Sequence, residues 1–260
     1  MPKKISLKQF LMRTGKFEKS YDCINAIRSG KVTINNKTIT IPNYFFNSKK
    51  SLIKFNNERL RMLSKFYFIM NKPAGYLSQK SPREKSIYDL LEKLNLPNEN
   101  IKSLFAIGRL DKDTEGLLIL TNDGRLVENI MRPENDVIKK YYATLENRVN
   151  INKTRLIEKG IQITSDNKSY KTKPSKIKVV GEKEVYISIT EGKKRQIRNM
   201  FNAIGNKVVY LKRVSIGGLQ LGNLKVGQIK QLTKKEIIEK LGFNQYHWSC
   251  ADFLITKKSK

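Results

Sequence analysis

The sequence predicts an α+β protein in which a small module of two helices and a β-hairpin precedes a larger domain with a mixed, mostly antiparallel sheet flanked by helices. Three observations support this prediction. Short apolar or alternating runs separated by turn residues recur along the chain, as in antiparallel strands. Segments with helical spacing of apolar residues are fewer, and several end at glycine. The first 60 residues are strongly basic and differ in composition from the rest.

The charge of the chain points to a polyanionic partner. Its 260 residues include 52 Lys and Arg against 23 Asp and Glu, a formal net charge of +29. Residues 1–65 alone hold fifteen Lys or Arg and three acidic residues. A field of this sign attracts nucleic acid through phosphate neutralisation and counterion release. A Lys-rich composition that only maintains solubility is the alternative, and the concentration of charge in one module favours nucleic acid.

The chain has few cysteine and histidine residues, which limits the kinds of metal site and catalytic mechanism that it can form. Cys23 and Cys250 lie at opposite ends of the chain, and His247 is the only histidine. This distribution predicts neither a disulfide framework nor a metal site. Acid–base chemistry must then rest on carboxylates, lysines or tyrosines.

The chain has no apolar run of about 18 residues and no apolar leader behind its first residues, so we expect a cytoplasmic protein without a membrane span.

The N-terminal module, residues 1–60, is predicted from local signals. Apolar residues at helical spacing indicate two helices, and two β-branched runs indicate a hairpin. These elements are a helix over residues 6–14, a helix from Ser20 to Gly30, and strands over residues 32–34 and 39–41. Ser20 can cap the second helix, and Asn35 and Asn36 tolerate the left-handed conformation of a tight turn. Arg28 and Lys31 are candidate RNA-binding residues on the module's basic surface.

The segment from Ser6 to Asn35 resembles the S-four RNA-binding fold, named for a small-subunit ribosomal protein. The resemblance implies that this module binds RNA. A linker over residues 61–66 would join it to the second domain.

The second predicted domain covers residues 67–245 and precedes a basic tail over 246–260. Its strand candidates are apolar or alternating runs, at residues 67–70, 104–107, 117–120, 139–145, 185–189, 208–216 and 219–221. Its helix candidates carry apolar residues at helical spacing or a capping box, at residues 87–94, 197–204 and 233–242.

The predicted helix over residues 197–204 has two faces. Apolar residues at i, i+3, i+4 and i+7 face a core, and a polar face lies beside them. Arg195 and Arg198 belong to the polar face. A helix held by core packing would make Arg198 a rigid partner for a carboxylate.

A polar, glycine-bounded loop over residues 108–116 separates two of the predicted strands and contains Asp111. An isolated aspartate in such a loop is usually an ordinary loop residue. Asp111, Asp113 and Glu115 alternate, and in an extended segment they would share a face. A metal site needs more ligands than these three.

The motifs of this domain together resemble the RsuA-type family of ribosomal RNA pseudouridine synthases. The longest motif runs from Gly108 to Gly124 and contains Asp111. The other motifs lie along the chain in the family's order. One precedes the long motif, Lys72-Pro73-x-Gly75, and four come after it, Lys139-x-Tyr141, Glu191 to Phe201, Leu211 to Gly217 and Leu221 to Gly227. The resemblance covers residues 67–233, and an S-four-like module in front is the usual family arrangement.

The resemblance implies roles for individual residues. Asp111 would be the essential carboxylate, which attacks or deprotonates at the sugar so that the glycosidic bond breaks. Tyr141 would stack on the uracil, and Ile197 would form part of the apolar wall of the pocket. Arg198 would pair with Asp111 and keep its pKa low. The remaining candidates for binding RNA are Arg109, Lys72 and Arg195.

The implied reaction detaches uracil from its ribose, rotates it and rejoins it through carbon. Nothing is oxidised, so no cofactor is expected. The base must leave the RNA stack at a cost of a few kcal/mol, and stacking on Tyr141 can return about 1–3 kcal/mol. The expected partner is ribosomal RNA or an assembling ribosomal subunit, bound by a monomer.

Two other functions stay open. A non-catalytic RNA-binding or ribosome-assembly factor would keep the charge and the small module and leave Asp111 idle. A metal-dependent RNA hydrolase would use Asp111, Asp113 and Glu115, and a chelator would abolish its activity.

Overall fold

The computed structural model describes residues 4–17, 19–166 and 168–242. The predicted tail over 246–260, with His247 and Cys250, lies outside these ranges. The chain divides into two compact units, the described residues of 1–65 with 91–105, and those of 66–90 with 106–260. Within the described ranges, no helix has the length and apolar character needed to cross a membrane.

The first unit holds short strands and helices around a small apolar core. Its elements up to residue 59 are β1 (Ile5–Ser6), α1 (Leu7–Met12), α2 (Ser20–Arg28), β2 (Val32–Ile34), β3 (Lys37–Thr38), β4 (Phe45–Phe46), β5 (Ile53–Phe55) and β6 (Glu58–Arg59). β2 pairs with β3 and β5, and β5 pairs with β6, all antiparallel. Leu7, Leu11 and Ile27 are fully buried in the core between the helices and this sheet.

The two N-terminal helices confirm the predicted helical spacing, and their caps differ in detail. Ser6 caps α1, since its hydroxyl accepts a hydrogen bond from the Gln9 N–H at 3.3 Å. Ser20 is the first residue of α2 and not its cap, a position taken by Lys19. The predicted strand over 39–41 is wrong, because two consecutive asparagines with positive φ turn the chain so tightly that β3 begins at residue 37.

Residues 91–105 belong with the first unit, although the second domain was expected to run without interruption from residue 67. α3 (Ile87–Leu91) leads into this segment, which contains α4 (Asn98–Ser103). The close packing at Gly15 explains in part why residues 91–105 belong with the first unit. Its φ is +73°, and a Cβ there would lie 2.8 Å from Leu63 Cδ1 and 3.0 Å from the Glu99 carbonyl oxygen. The backbone of Glu99 therefore approaches residue 15 more closely than any side chain would allow.

The second unit carries the large sheet. The remaining elements are β7 (Tyr67–Lys72), β8 (Phe105–Ile107), β9 (Glu115–Thr121), α5 (Gly124–Met131), β10 (Lys139–Leu145), α6 (Ile151–Glu158), β11 (Gln162–Ser165), β12 (Lys168–Lys171), β13 (Lys176–Val179), β14 (Glu184–Ile189), α7 (Gln196–Ala203), β15 (Val208–Ile216), β16 (Leu219–Gln220), β17 (Ile229–Leu232) and α8 (Lys234–Leu241).

The nine-stranded sheet confirms the predicted mixed, mostly antiparallel architecture. Its main path is β13-β14-β10-β15-β9-β7-β17, with β16 beside β15 and β8 beside β9. Along that path only β15 and β9 run parallel. They meet where Gly116 pairs with Arg213. A Cβ at Gly116 would lie 2.2 Å from the Arg213 carbonyl oxygen, so this contact requires glycine.

The burial of each element follows its sequence pattern. The apolar run of β7 is buried at all six positions, whereas β10 alternates buried and half-buried residues. α8 begins at the predicted capping box, in which Thr233 and Glu236 each bond the other's backbone, and it ends at Gly242 with φ +78°. Leu126 of α5 and Ile237 of α8 are fully buried in the same cluster as residues of the sheet.

Candidate active site

A cleft of about 1040 Å³ opens in the second unit where the loop before β9, strands β10 and β15, and the start of α7 meet. Five of the predicted site residues line it, namely Arg109, Asp111, Tyr141, Arg195 and Ile197. Lys72 and Arg198 contact the loop before β9 through its backbone. Arg28 and Lys31 are exposed residues of the first unit.

The loop that carries Asp111 is anchored on both sides of the carboxylate. The Ser78 hydroxyl donates to the Leu110 carbonyl at 2.7 Å and accepts from the Leu110 N–H at 3.0 Å. The Gly75 N–H donates to the Lys112 carbonyl at 2.8 Å, and the Thr114 N–H donates to the Asp111 carbonyl at 3.1 Å. Asp111 therefore projects from a loop whose own backbone is hydrogen-bonded.

Lys72 is a third anchor of this loop, and its position differs from that expected of an RNA-binding residue. Its side chain is 0% exposed and does not line the cleft. Its ammonium group donates to the carbonyls of Pro73 at 2.9 Å, Lys112 at 3.3 Å and Thr114 at 2.9 Å. Burial lowers the pKa of Lys72 to about 8, although nearby carboxylates, Asp113 first among them, act in the opposite direction.

The predicted ion pair between Arg198 and Asp111 is replaced by one between Arg198 and Asp113, with 3.1 Å between Nη2 and Oδ2. Arg198 also donates to the Val208 carbonyl at 2.8 Å and the Asp113 carbonyl at 3.2 Å. Arg195 binds the same carboxylate from the exposed side, with N···O distances of 3.2–3.3 Å. Asp113 is thus the ion-pair partner of Arg198, in place of the expected Asp111.

The pKa of Asp111 is raised from its ordinary value, which corrects the expectation that a paired guanidinium would hold it low. Burial is the largest cause, because it disfavours the charged form. Arg195 and Arg198 lower the pKa through space, and the negative charge of Asp113 raises it. Among the described residues the Asp111 carboxylate forms no direct ion pair and accepts no hydrogen bond, whereas the other cleft carboxylates are engaged: Asp166 pairs with Lys194, and Glu191 accepts hydrogen bonds from the Lys173 N–H and the Gln196 amide.

Tyr141 and Ile197 form apolar surface in the cleft. Tyr141 is 7% exposed and Ile197 is 4% exposed, and both line the cleft. Arg213 donates from Nη1 to the Tyr141 hydroxyl at 3.5 Å, and its guanidinium carbon lies 6.0 Å from the centre of the tyrosine ring. A planar base can enter a cleft of this size with an aromatic ring as one wall.

The three alternating carboxylates do not converge on one point. Asp113 binds two arginines, and Glu115 accepts a hydrogen bond from the Tyr210 hydroxyl at 2.7 Å. The reason is that β9 begins only at Glu115, so Asp111 and Asp113 lie in a turn instead of sharing a strand face. Among the described residues no group of three or more His, Cys, Asp and Glu side chains could hold a metal ion.

Two residues of the site were not assigned their roles from the sequence. Asp113 was considered only as a metal ligand, and Arg213 only as part of a motif. Arg213 is 1% exposed on β15, next to its half-buried neighbours Lys212 and Val214. An arginine at an inward position of an alternating strand is the signal that could have identified it.

An anchored carboxylate loop and an aromatic wall, in a cleft of a strongly basic chain, fit an enzyme that acts on nucleic acid. The family model described as RNA pseudouridylate synthase matches residues 66–203. The chain therefore belongs to the RNA pseudouridine synthase family.

Individual proteins agree with this assignment. Ribosomal large subunit pseudouridine synthase B of Bacillus subtilis is 33% identical over 219 residues, 81% of this chain and 85% of that protein. Ribosomal small subunit pseudouridine synthase A of Salmonella typhimurium is 32% identical over 213 residues, 81% of this chain and 89% of that protein. A crystal structure of a pseudouridylate synthase superposes with a TM-score of 0.64 and 31% identity, covering 91% of this chain and 99% of that chain.

Proposed function

We propose that this protein isomerises a specific uridine of ribosomal RNA to pseudouridine, with Asp111 as the carboxylate that acts at the sugar. The observation that carries the proposal is the position of Asp111. It projects into the cleft from a loop anchored by Ser78 and Lys72, and it forms no direct ion pair among the described residues. The names of the relatives, which include synthases for both ribosomal subunits, support ribosomal RNA as the substrate.

The cleft can supply what the isomerisation requires. The target base leaves the RNA stack and enters the cleft, where Tyr141 stacks on it and Ile197 excludes water. Asp111, ionised, either bonds to the sugar carbon C1′ or removes the C2′ proton. Arg195 and Arg198 favour the ionised form through space. The anchors of the loop hold the carboxylate in place, so little entropy is lost at the moment of reaction.

The basic residues outside the reacting centre bind the RNA backbone. Arg109 is exposed at the cleft and donates to Gln79 at 2.8 Å, and Arg195 is also exposed. Arg28 and Lys31 offer further positive charge on the first unit. We propose that the protein acts as a monomer, without metal or cofactor, on ribosomal RNA or on an assembling subunit.

The test begins with unmodified RNA of both ribosomal subunits, naked and in assembling particles, incubated with the protein in EDTA. Pseudouridine is mapped by primer extension after carbodiimide treatment. We expect one new stop with the wild type and none with Asp111→Asn. The matched control is Glu239→Gln, which changes an exposed carboxylate of α8 to an amide.

The other outcomes identify the alternatives. Absence of a stop on every substrate, with RNA binding that Asp111→Asn leaves intact, would favour a non-catalytic RNA-binding factor. RNA cleavage that appears only with a divalent metal would favour the hydrolase. A stop that Asp111→Asn still makes would keep the synthase and refute the role of Asp111.

A further inference from the structure

Arg213 is a buried cation with an unused hydrogen-bond donor. It is 1% exposed, and its Nε donates to the Leu117 carbonyl at 2.8 Å. Its Nη1 reaches the Tyr141 hydroxyl at 3.5 Å, whereas its Nη2 has no hydrogen-bond partner among the described residues. Within those ranges it forms no ion pair with a carboxylate. A buried guanidinium without a counter-charge is costly, and such a group is usually retained for a ligand.

The surroundings of Arg213 add positive charge. Lys139 also lines the cleft, is 8% exposed, and donates to the carbonyls of Val137 and Thr190. Burial is the main cause that lowers the pKa of Lys139, and the charge of Arg213 is the next. This part of the cleft therefore favours a bound group that carries negative charge.

Arg213 forms part of the cleft wall, and its Nη2, unpartnered within the described part of the chain, is buried there. Gly108 has φ +63°, and a Cβ there would lie 3.4 Å from Arg213 Nη1. Glycine at this position keeps the approach to the guanidinium clear of a side chain. Arg213 lines the cleft and its guanidinium carbon lies 6.0 Å from the centre of the Tyr141 ring, so a base in the cleft would lie near the guanidinium.

We propose that Arg213 donates a hydrogen bond from Nη2 to a carbonyl oxygen of the uracil and stabilises the negative charge on the detached ring. This inference rests on the proposed function, because it assigns a substrate contact within the same cleft. Arg213 is thereby a catalytic residue in addition to Asp111.

The chemistry of the isomerisation explains why one donor can serve both halves of the reaction. When the C1′–N1 bond breaks, its electron pair stays on the uracil and is spread over N1, O2 and O4. Rotation of the ring by half a turn about its N3–C6 axis exchanges N1 with C5 and O2 with O4. A C1′–C5 bond then forms, C5 loses its proton and N1 gains one, so atoms and electrons balance. A fixed guanidinium meets one carbonyl oxygen before the rotation and the other after it.

The first experiment compares Arg213→Gln and Arg213→Lys with the wild type under single turnover. Removal of one such donor is expected to slow the reaction on the order of 10²–10³-fold, with unchanged affinity for the RNA. The lysine variant keeps the charge and should lose less. Lys212→Gln is the matched control, since Lys212 is next to Arg213 on β15 but does not line the cleft. Circular dichroism of each variant verifies the fold.

A second experiment tests the contact itself with RNA that carries 2-thiouridine or 4-thiouridine at the target. Sulfur accepts hydrogen bonds more weakly than oxygen, so we expect thio substitution to slow the wild type. In Arg213→Gln the same substitution should have little further effect, because the donor is already absent. A purely structural Arg213 would give equal thio effects in both proteins, and that result would overturn the inference.

The two proposals fail in different ways. If the wild type forms no pseudouridine on any RNA, the proposed function is refuted. If the wild type is active and the folded Arg213 variants are equally fast, only the contact with uracil is refuted.

Discussion

Substitution of Gly116 by alanine tests the contact between β9 and β15. Gly116 has φ +108°, and a Cβ there would lie 2.2 Å from the carbonyl oxygen and 2.6 Å from the nitrogen of Arg213. The backbone conformation costs about 2 kcal/mol for an L-residue, and displacement of the neighbouring strand costs about 2 kcal/mol more. We therefore expect Gly116→Ala to lower the free energy of unfolding by about 4 kcal/mol, a large share of a typical total.

Gly222→Ala is the matched control. Gly222 also has positive φ, +56°, but nothing lies within 4 Å of the position of its Cβ. Only the conformational cost of about 1–2 kcal/mol applies there. Urea denaturation followed by circular dichroism measures both variants, and the single-turnover rate should fall only for Gly116→Ala, which displaces Arg213. Equal losses of stability in the two variants would refute the steric argument.

Four further predictions concern Lys72, Asp113 and the cap of α8. Lys72→Met should slow turnover and leave the affinity for RNA and its salt dependence unchanged, because Lys72 holds loop carbonyls and is 0% exposed; a shallower salt slope would instead indicate a lost phosphate contact. Because burial lowers the pKa of Lys72 to about 8, the burial penalty is complete below that pH, and the stability of the wild type relative to Lys72→Met should rise above it. Asp113→Asn removes a charge that raises the pKa of Asp111, so the acid limb of the pH–rate profile should move to lower pH, and a move to higher pH would contradict this. Thr233→Ala should lower the free energy of unfolding by about 1 kcal/mol through loss of the capping box of α8, and an unchanged urea midpoint would show that the cap contributes nothing.

The elements that could be predicted are those whose signals lie within a few residues. The capping box at Thr233, the two-faced helix α7 and the strands β10 and β15 all appear where the sequence placed them. The short strands β11, β12 and β17 and the polar helix α6 were not identified. Their residues are largely exposed, so their sequences carry little periodicity, and they form because a neighbouring strand or helix supports them.

The sequence by itself determined the class of fold, the basic character of the chain, and the loop that carries Asp111, because local pattern, composition and motif order are properties of the chain alone. Only the tertiary structure decided that Lys72 is a buried anchor, that Arg198 pairs with Asp113, and that Arg213 lies beside Tyr141. These relations depend on which strands become neighbours and on how deeply each charge is buried. The pKa of Asp111 is raised for the same reason, since burial exists only in the folded protein.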